Sequence, residues 1–168
     1  RLNNAIAFPI FDDDGNIINI KKRTLQKNFK DLKRPKYINL YKIGKLDYLW
    51  GFAQNKHKYN DYKSLILFEG EKSVMKFETA GYFNSVALST SSITKEQANT
   101  LIKTNKDIVI AMDKGIDMEH IRRNFFFFFR FTNTFVIFDR NGLLEDKMAP
   151  IDNGIEVFKK LYEQRIKI

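Results

Sequence analysis

The sequence predicts an α/β fold: a parallel sheet with flanking helices, preceded by a small, basic N-terminal subdomain of α+β type. Three observations carry this reading. From Lys63 onward, short apolar runs alternate with helix-like segments, and repeated β-α units imply parallel strands with helices on the sheet faces. Two of the apolar runs end in acidic clusters, Leu65-Ile66-Leu67-Phe68 in Glu69-Gly70-Glu71 and Asp107 to Met112 in Asp113-Lys114-Gly115-Ile116-Asp117. The third is charge asymmetry: residues 1–62 hold 13 Lys and Arg against 6 Asp and Glu, whereas 63–168 hold 16 against 14. The subdomain boundary is therefore drawn at 62/63.

Taken in order, Ala5 to Phe11 is an extended apolar run, Asp14-Gly15 a hairpin turn, and Asn16 to Ile20 a returning strand. The polar, basic stretch to Lys36 reads as a loop, because Pro35 disfavours helix at Arg34. Residues 64–69 form a buried strand, and 71–81 a helix closed by Gly81. Asn84 to Leu88 is a second strand. Thr94-Lys95-Glu96-Gln97 has capping-box spacing and opens a helix to about Asn105. Strands at 107–112 and 134–138 follow, with helices from about Ile116 and over 152–165. The five-Phe run within Asn124 to Phe131 reads as a helix end or a connection packed into the core.

Composition narrows the chemistry. There is no cysteine, which excludes disulfides and thiolate metal sites, and His57 and His120 are the only histidines. Oxygen-ligated Mg2+ or Mn2+ remains. No apolar stretch is long enough to span a bilayer and no signal peptide is visible, so the expected protein is soluble and cytoplasmic, with no membrane partner. The first residue is Arg1 rather than Met, as in a piece excised from a longer protein. The basic stretch from Lys21 to Lys45 matches a surface along which a polyanion runs, or a well-solvated face.

Carboxylates at the C-terminal ends of adjacent parallel strands converge on one crevice. If the strands before Glu69 and Asp113 are neighbours, these two side chains face each other, with Asp117 one helical turn beyond, and can hold one or two hard cations for phosphoryl chemistry. Glu71 reads as a helix-dipole partner. A third acidic group, Asp139, Asp146 and Asp152, follows the last strand and can border the same crevice; Asp152 also suits a helix N-cap.

At this point the chain resembles the RNA-polymerase core of bacterial DnaG-type primases, built around a TOPRIM module. The N-terminal resemblance lies in Arg1, Phe8-Pro9-Ile10, Asp14-Gly15, Arg23, Pro35-Lys36-Tyr37-Ile38-Asn39, Lys45 and Leu49-Trp50-Gly51. In the TOPRIM part it lies in Phe68-Glu69-Gly70-Glu71-Lys72, Gly81, Val86 to Thr90 and Met112-Asp113. The resemblance implies template-directed synthesis of short RNA primers from NTPs on single-stranded DNA by a two-metal mechanism. Glu69 and Asp113 would be the catalytic carboxylates, with Mg2+ or Mn2+ as cofactor. Arg23, Lys36, Asn39, Lys45 and Lys72 would contact nucleic acid or nucleotide. A replicative helicase, reached through domains outside this chain, and a monomeric state are also implied.

One departure stands out. The pattern has Asp-x-Asp where this chain has Asp113-Lys114-Gly115, so the remaining metal ligand falls to Asp117, Asp139, Asp146 or Asp152, or the site is weakened. A TOPRIM nuclease and a nucleic-acid-binding relative with weakened catalysis are the alternative functions.

Overall fold

The computed structural model describes residues 4–42 and 47–168. The chain forms two compact units, Arg1–Tyr48 and Leu49–Ile168. In the first, β1 (Ala5–Phe11) and β2 (Ile17–Thr24) form the expected antiparallel hairpin. Its turn is held by Asp12, whose Oδ1 accepts the N–H groups of Asp14 at 3.1 Å and Asn16 at 2.8 Å. A third strand, β3 (Tyr37–Asn39), pairs with the other edge of β2, where the sequence had shown only a loop up to Lys36. Three residues are too few to display alternation, and the partner strand is far away in sequence. Buried Asn19 fastens β2 to the chain after β3: its amide donates to the Tyr41 carbonyl at 3.0 Å and accepts the Tyr41 N–H at 3.2 Å.

The second unit holds a five-stranded sheet in the order β5-β4-β6-β7-β8. Its strands are β4 (Ser64–Phe68), β5 (Ser85–Ala87), β6 (Asp107–Ala111), β7 (Thr134–Val136) and β8 (Ile166–Lys167). The first four are parallel, as expected. β8 runs antiparallel to β7, so the sheet is mixed at that edge. Every residue of β4 is buried, as a central strand covered on both faces requires. Leu65 and Leu67 join Ile108 and Ile110 in one apolar cluster; Ile66 and Phe68 join Val109 and Ala111 in the other. This period-2 division puts a core on each side of the sheet.

Helices cover both cores: α2 (Glu71–Thr79), α3 (Lys95–Ile102), α4 (Met118–Phe125) and α5 (Ile155–Glu163). The capping box of α3 is complete, with Thr94 Oγ1 accepting the Gln97 N–H at 3.2 Å and Gln97 Oε1 accepting the Thr94 N–H at 3.0 Å. The phenylalanine run is structural, as read from sequence. Phe125 and Phe128 are fully buried, and Phe127 and Phe129 pack against the same cluster. No helix among the described residues is long and apolar enough to cross a membrane.

The boundary between the compact units falls at 48/49 rather than 62/63. Trp50 and Ala87 exchange two backbone hydrogen bonds, of 3.0 and 2.9 Å, which lays this segment along β5. A short helix, α1 (Phe52–Asn55), and a 3-10 turn (Lys56–Asp61) follow, and Phe52 and Tyr59 meet edge to face at 5.7 Å inside the core. Gly51 makes this approach possible: its φ is +90°, and a β-carbon there would lie 3.2 Å from Val74 Cγ1 and 3.3 Å from the Ser85 carbonyl. Gly51→Ala is expected to destabilise the fold by roughly 2 kcal/mol, from left-handed backbone and contact strain together. Urea unfolding with an unchanged m-value tests this; wild-type stability would sink the argument.

Candidate metal and nucleotide site

β4 and β6 are neighbours in parallel register, with Phe68 opposite Ala111. Glu69 follows the end of one strand directly, and Asp113 lies two residues beyond the other. The Leu88 N–H donates to the Phe68 carbonyl and the Ser89 N–H to the Glu69 carbonyl, so the ladder to β5 holds the backbone of Glu69 while Gly70 opens α2. Both carboxylates are half-buried. Burial pushes Asp113 up to about 6, and repulsion from Glu69 and then Asp152 adds to it, with Lys72 easing it. Glu69 is also raised, by burial, against a smaller opposing effect of His120. A cleft that makes two anions costly is one in which a proton or a cation is welcome.

The other acidic residues are divided in a way the sequence did not show. Asp117 is not a helical turn beyond Asp113, because 113–117 is a loop; it is the N-cap of α4, its Oδ1 accepting the His120 N–H at 2.7 Å. The Asp139 side chain is shielded from solvent and accepts from the Leu143 and Leu144 amides, each at 2.9 Å, and from Lys114 Nζ at 3.0 Å. Burial alone would raise its pKa, but these donors outweigh it and bring it down to about 2. Asp152 is not the N-cap of α5, which is Gly154. It accepts from Lys76 Nζ at 2.6 Å, Lys72 Nζ at 3.3 Å and the Ala149 amide at 3.1 Å. Despite burial, its pKa lies below the usual value. Glu71 is buried at the start of α2 and accepts from Ser89 Oγ at 2.7 Å. Asp146 is exposed, and it borders a cavity of about 480 Å³ together with Glu69 and Asp113.

Among the described residues, no three His, Asp or Glu side chains come together closely enough to hold a metal ion by themselves. A pair of oxygen ligands nevertheless suits Mg2+, which keeps several waters and takes further ligands from phosphate oxygens. Glu69 and Asp113, hard donors beside an open cavity, fit that requirement.

In the first unit, register pairs Arg23 with Tyr37 and Lys21 with Asn39 across β2 and β3. The Tyr37 ring has Lys21 Nζ at 4.9 Å from its centroid, Lys36 Nζ at 5.8 Å and the Arg23 guanidinium at 5.9 Å. Lys21, Arg23 and Lys36 thus gather around one aromatic ring, while Asn39 lies opposite Lys21 in the register. Lys45 and Arg1 lie outside the described residues. Lys72 lies by the other site, half-exposed between Asp152 and Asp113. Sequence reasoning missed Lys76 and Lys114, which neutralise Asp152 and Asp139; the sequence carried no signal for these pairs, whose members are 76 and 25 residues apart.

No protein-family model matches the chain. The DNA primase of Halalkalibacterium halodurans is 34% identical over 120 residues, which cover 68% of this chain and 19% of that protein. The Aquifex aeolicus primase structure, comprising zinc-binding and RNA polymerase domains, superposes with a TM-score of 0.78 at 25% identity, covering 98% of this chain and 41% of that one. The chain is thus similar in sequence to bacterial DNA primases and shares its fold with DnaG-type primase cores. It spans about a fifth of the length of the curated primases it matches. A DnaG primase catalytic domain bound to single-stranded DNA shares the fold, with a TM-score of 0.73 at 20% identity over 98% of this chain and 54% of that one.

The raised Asp113 has a measurable consequence. Its ordinary value is 3.8 and its value in the fold about 6, so between these the folded state binds the extra proton. Stability of the metal-free chain should therefore fall as pH rises through that window. Asp113→Asn is expected to flatten this slope and raise the melting temperature at about pH 7.5. Thermal melts across the window with a chelator present test it; identical slopes for wild type and variant would refute the assignment.

Proposed function

We propose that the chain is the catalytic core of a primase, joining NTPs into short RNA primers on a single-stranded DNA template with Mg2+ or Mn2+. The observation that carries this reading is the Glu69 and Asp113 pair: two carboxylates without a lysine salt bridge among the described residues, at the ends of adjacent parallel strands, beside an open cavity. Its support from relatives is the match to DNA primases and the shared fold of a DnaG domain bound to single-stranded DNA.

Bound between these carboxylates, a divalent cation would supply charge neutralisation for the attacking 3′-hydroxyl and the departing pyrophosphate. Glu69 and Asp113 hold that charge at a fixed point on the sheet rim. Lys72, half-exposed and near enough to ease the charge on Asp113, would meet a phosphate oxygen once its hold on Asp152 relaxes. In the first unit, Tyr37 offers a face for a base while Lys21, Arg23 and Lys36 meet phosphates. Asn39 and Lys45 belong to the same proposed nucleic-acid contact, and a replicative helicase to the same proposed setting. Gly115 favours a second reading, a nucleic-acid-binding relative with weakened catalysis.

Primer synthesis from labelled NTPs on single-stranded DNA with Mg2+ or Mn2+ distinguishes the two. Metal-dependent RNA products are expected, falling by roughly 100-fold or more in Glu69→Gln and in Asp113→Asn. Template binding without synthesis would support the second reading, and template cleavage would point to a nuclease. For the basic sheet, Arg23→Ala and Lys36→Ala should each weaken single-strand binding and make its salt slope shallower by about 0.7 for each phosphate no longer neutralised. Unchanged slopes in a salt titration would remove these residues from the nucleic-acid path.

A further inference from the structure

We propose that the second unit binds an amino-bearing nucleobase in a cavity at the N-terminal ends of β4 and β5, at the opposite end of the sheet from Glu69 and Asp113.

Ser64 opens β4 and Asn84 directly precedes β5, whereas Glu69 follows the other end of β4. The step from Ser64 to Glu69 is roughly 16 Å of extended strand. Around Ser64 and Asn84 lies a cavity of about 340 Å³, walled by Phe77, Tyr82, Phe158 and Tyr162. That volume suits one small guest.

The aromatic wall is fixed by packing. Tyr82 stacks on Phe77 with centroids 5.1 Å apart, Tyr162 stacks on Phe158 at 6.0 Å, and Phe77 meets Phe158 edge to face at 4.8 Å. Phe77 and Phe158 are buried in the core, so the wall is held from behind. Tyr162 Oη lies 3.1 Å from Ser64 Oγ, and Tyr62 Oη, also on the cavity, accepts the Phe83 N–H at 3.2 Å. Tyr82 and Tyr162 are only partly buried, which leaves ring surface for a planar guest.

Asn84 supplies the polar element. It is 6% exposed, and its Nδ2 donates to the Ser64 carbonyl at 2.7 Å. That bond fixes the amide, because turning it over would set oxygen against oxygen. The backbone carbonyl of Asn84 accepts the Ile66 N–H at 2.9 Å, so the residue is anchored to β4 twice. Its Oδ1 is then a buried acceptor with no hydrogen-bond partner among the described residues. Leaving such an oxygen unpaired is costly, and a guest that donates an N–H to it removes the penalty.

Charge at the mouth disfavours an ionic guest. Lys63 and Lys159 border the cavity beside Asp61 and Glu163, two cations against two anions. Both lysines already have acidic neighbours, Asp107 at 3.9 Å and Glu156 at 2.8 Å. A neutral, planar heterocycle with an N–H donor matches the rings, the acceptor and the balanced mouth together. Nucleobases with an exocyclic amine are such rings.

The test is calorimetric titration of the full chain, metal-free with a chelator present, by adenosine and by purine riboside, which has the same shape without the exocyclic amine. Adenosine is expected to bind saturably and purine riboside about tenfold more weakly, the effect of one hydrogen bond. Asn84→Ala should lower adenosine to the level of purine riboside and so erase the difference. Tyr82→Ala should weaken both about tenfold and keep it. A deoxyadenosine oligonucleotide that displaces adenosine would mark the base of a strand as the ligand, and one that does not would mark a free nucleoside; both outcomes support the site. Equal affinity of the two nucleosides for the wild type would overturn it, as would wild-type binding in both variants. Neither result touches the primase reading, which rests on the other end of the sheet. Circular dichroism and melts show that each variant is folded, and the wild-type comparison decides even if Asn84→Ala is not.

Discussion

The parallel pairing of β4 with β6 is the constraint on which the rest of this molecule depends. Apolar side chains alternate between two cores, so a slip of one residue in β4 would exchange Leu65 and Leu67 for Ile66 and Phe68 on each face. Burying a Leu, Ile or Phe side chain stabilises a fold by about 2 kcal/mol, and the register is fixed by several such residues at once. Glu69 and Asp113 inherit their proximity from that register. They repel each other and cannot move apart without disturbing the sheet beneath them.

Electrostatic pairing then sorts the acidic residues into two kinds. Lys114 and two amides neutralise Asp139, while Lys72, Lys76 and the Ala149 amide hold Asp152. These contacts lower the carboxylate pKa values and fasten the long segment after β7 to the sheet. Glu69 and Asp113 are shifted the other way, because burial and like charge work against ionisation. The same amino-acid type is thus structural at one position and chemically available at another.

The elements readable in sequence were those whose physics is local. β4 and β6 announced themselves as uninterrupted apolar runs, and the α3 start as a capping box whose two hydrogen bonds join residues three apart. The first hairpin followed from an Asp-Gly turn between extended runs. Elements that rely on distant partners were hidden. β3 and β8 are three and two residues long and exist because a strand edge was available to each. Residues 49–62 carried no strong pattern, and only the Trp50–Ala87 bridge and the packing of Phe52 and Tyr59 assign them to the second unit.

What the sequence by itself determined is the α/β class, the central strands, and the placing of Glu69 and Asp113 at strand ends. Hydrophobic periodicity and local turn chemistry are written in neighbouring residues. The tertiary structure decided which other carboxylates remain available. Asp117, Asp139, Asp146 and Asp152 look alike along the chain, and only three-dimensional contact with a helix N-terminus, a lysine or a glycine cleft distinguishes them. Gly115 shows this most directly: in sequence it is an absent ligand, and in the fold it is a turn residue with a carboxylate facing it from 31 positions away.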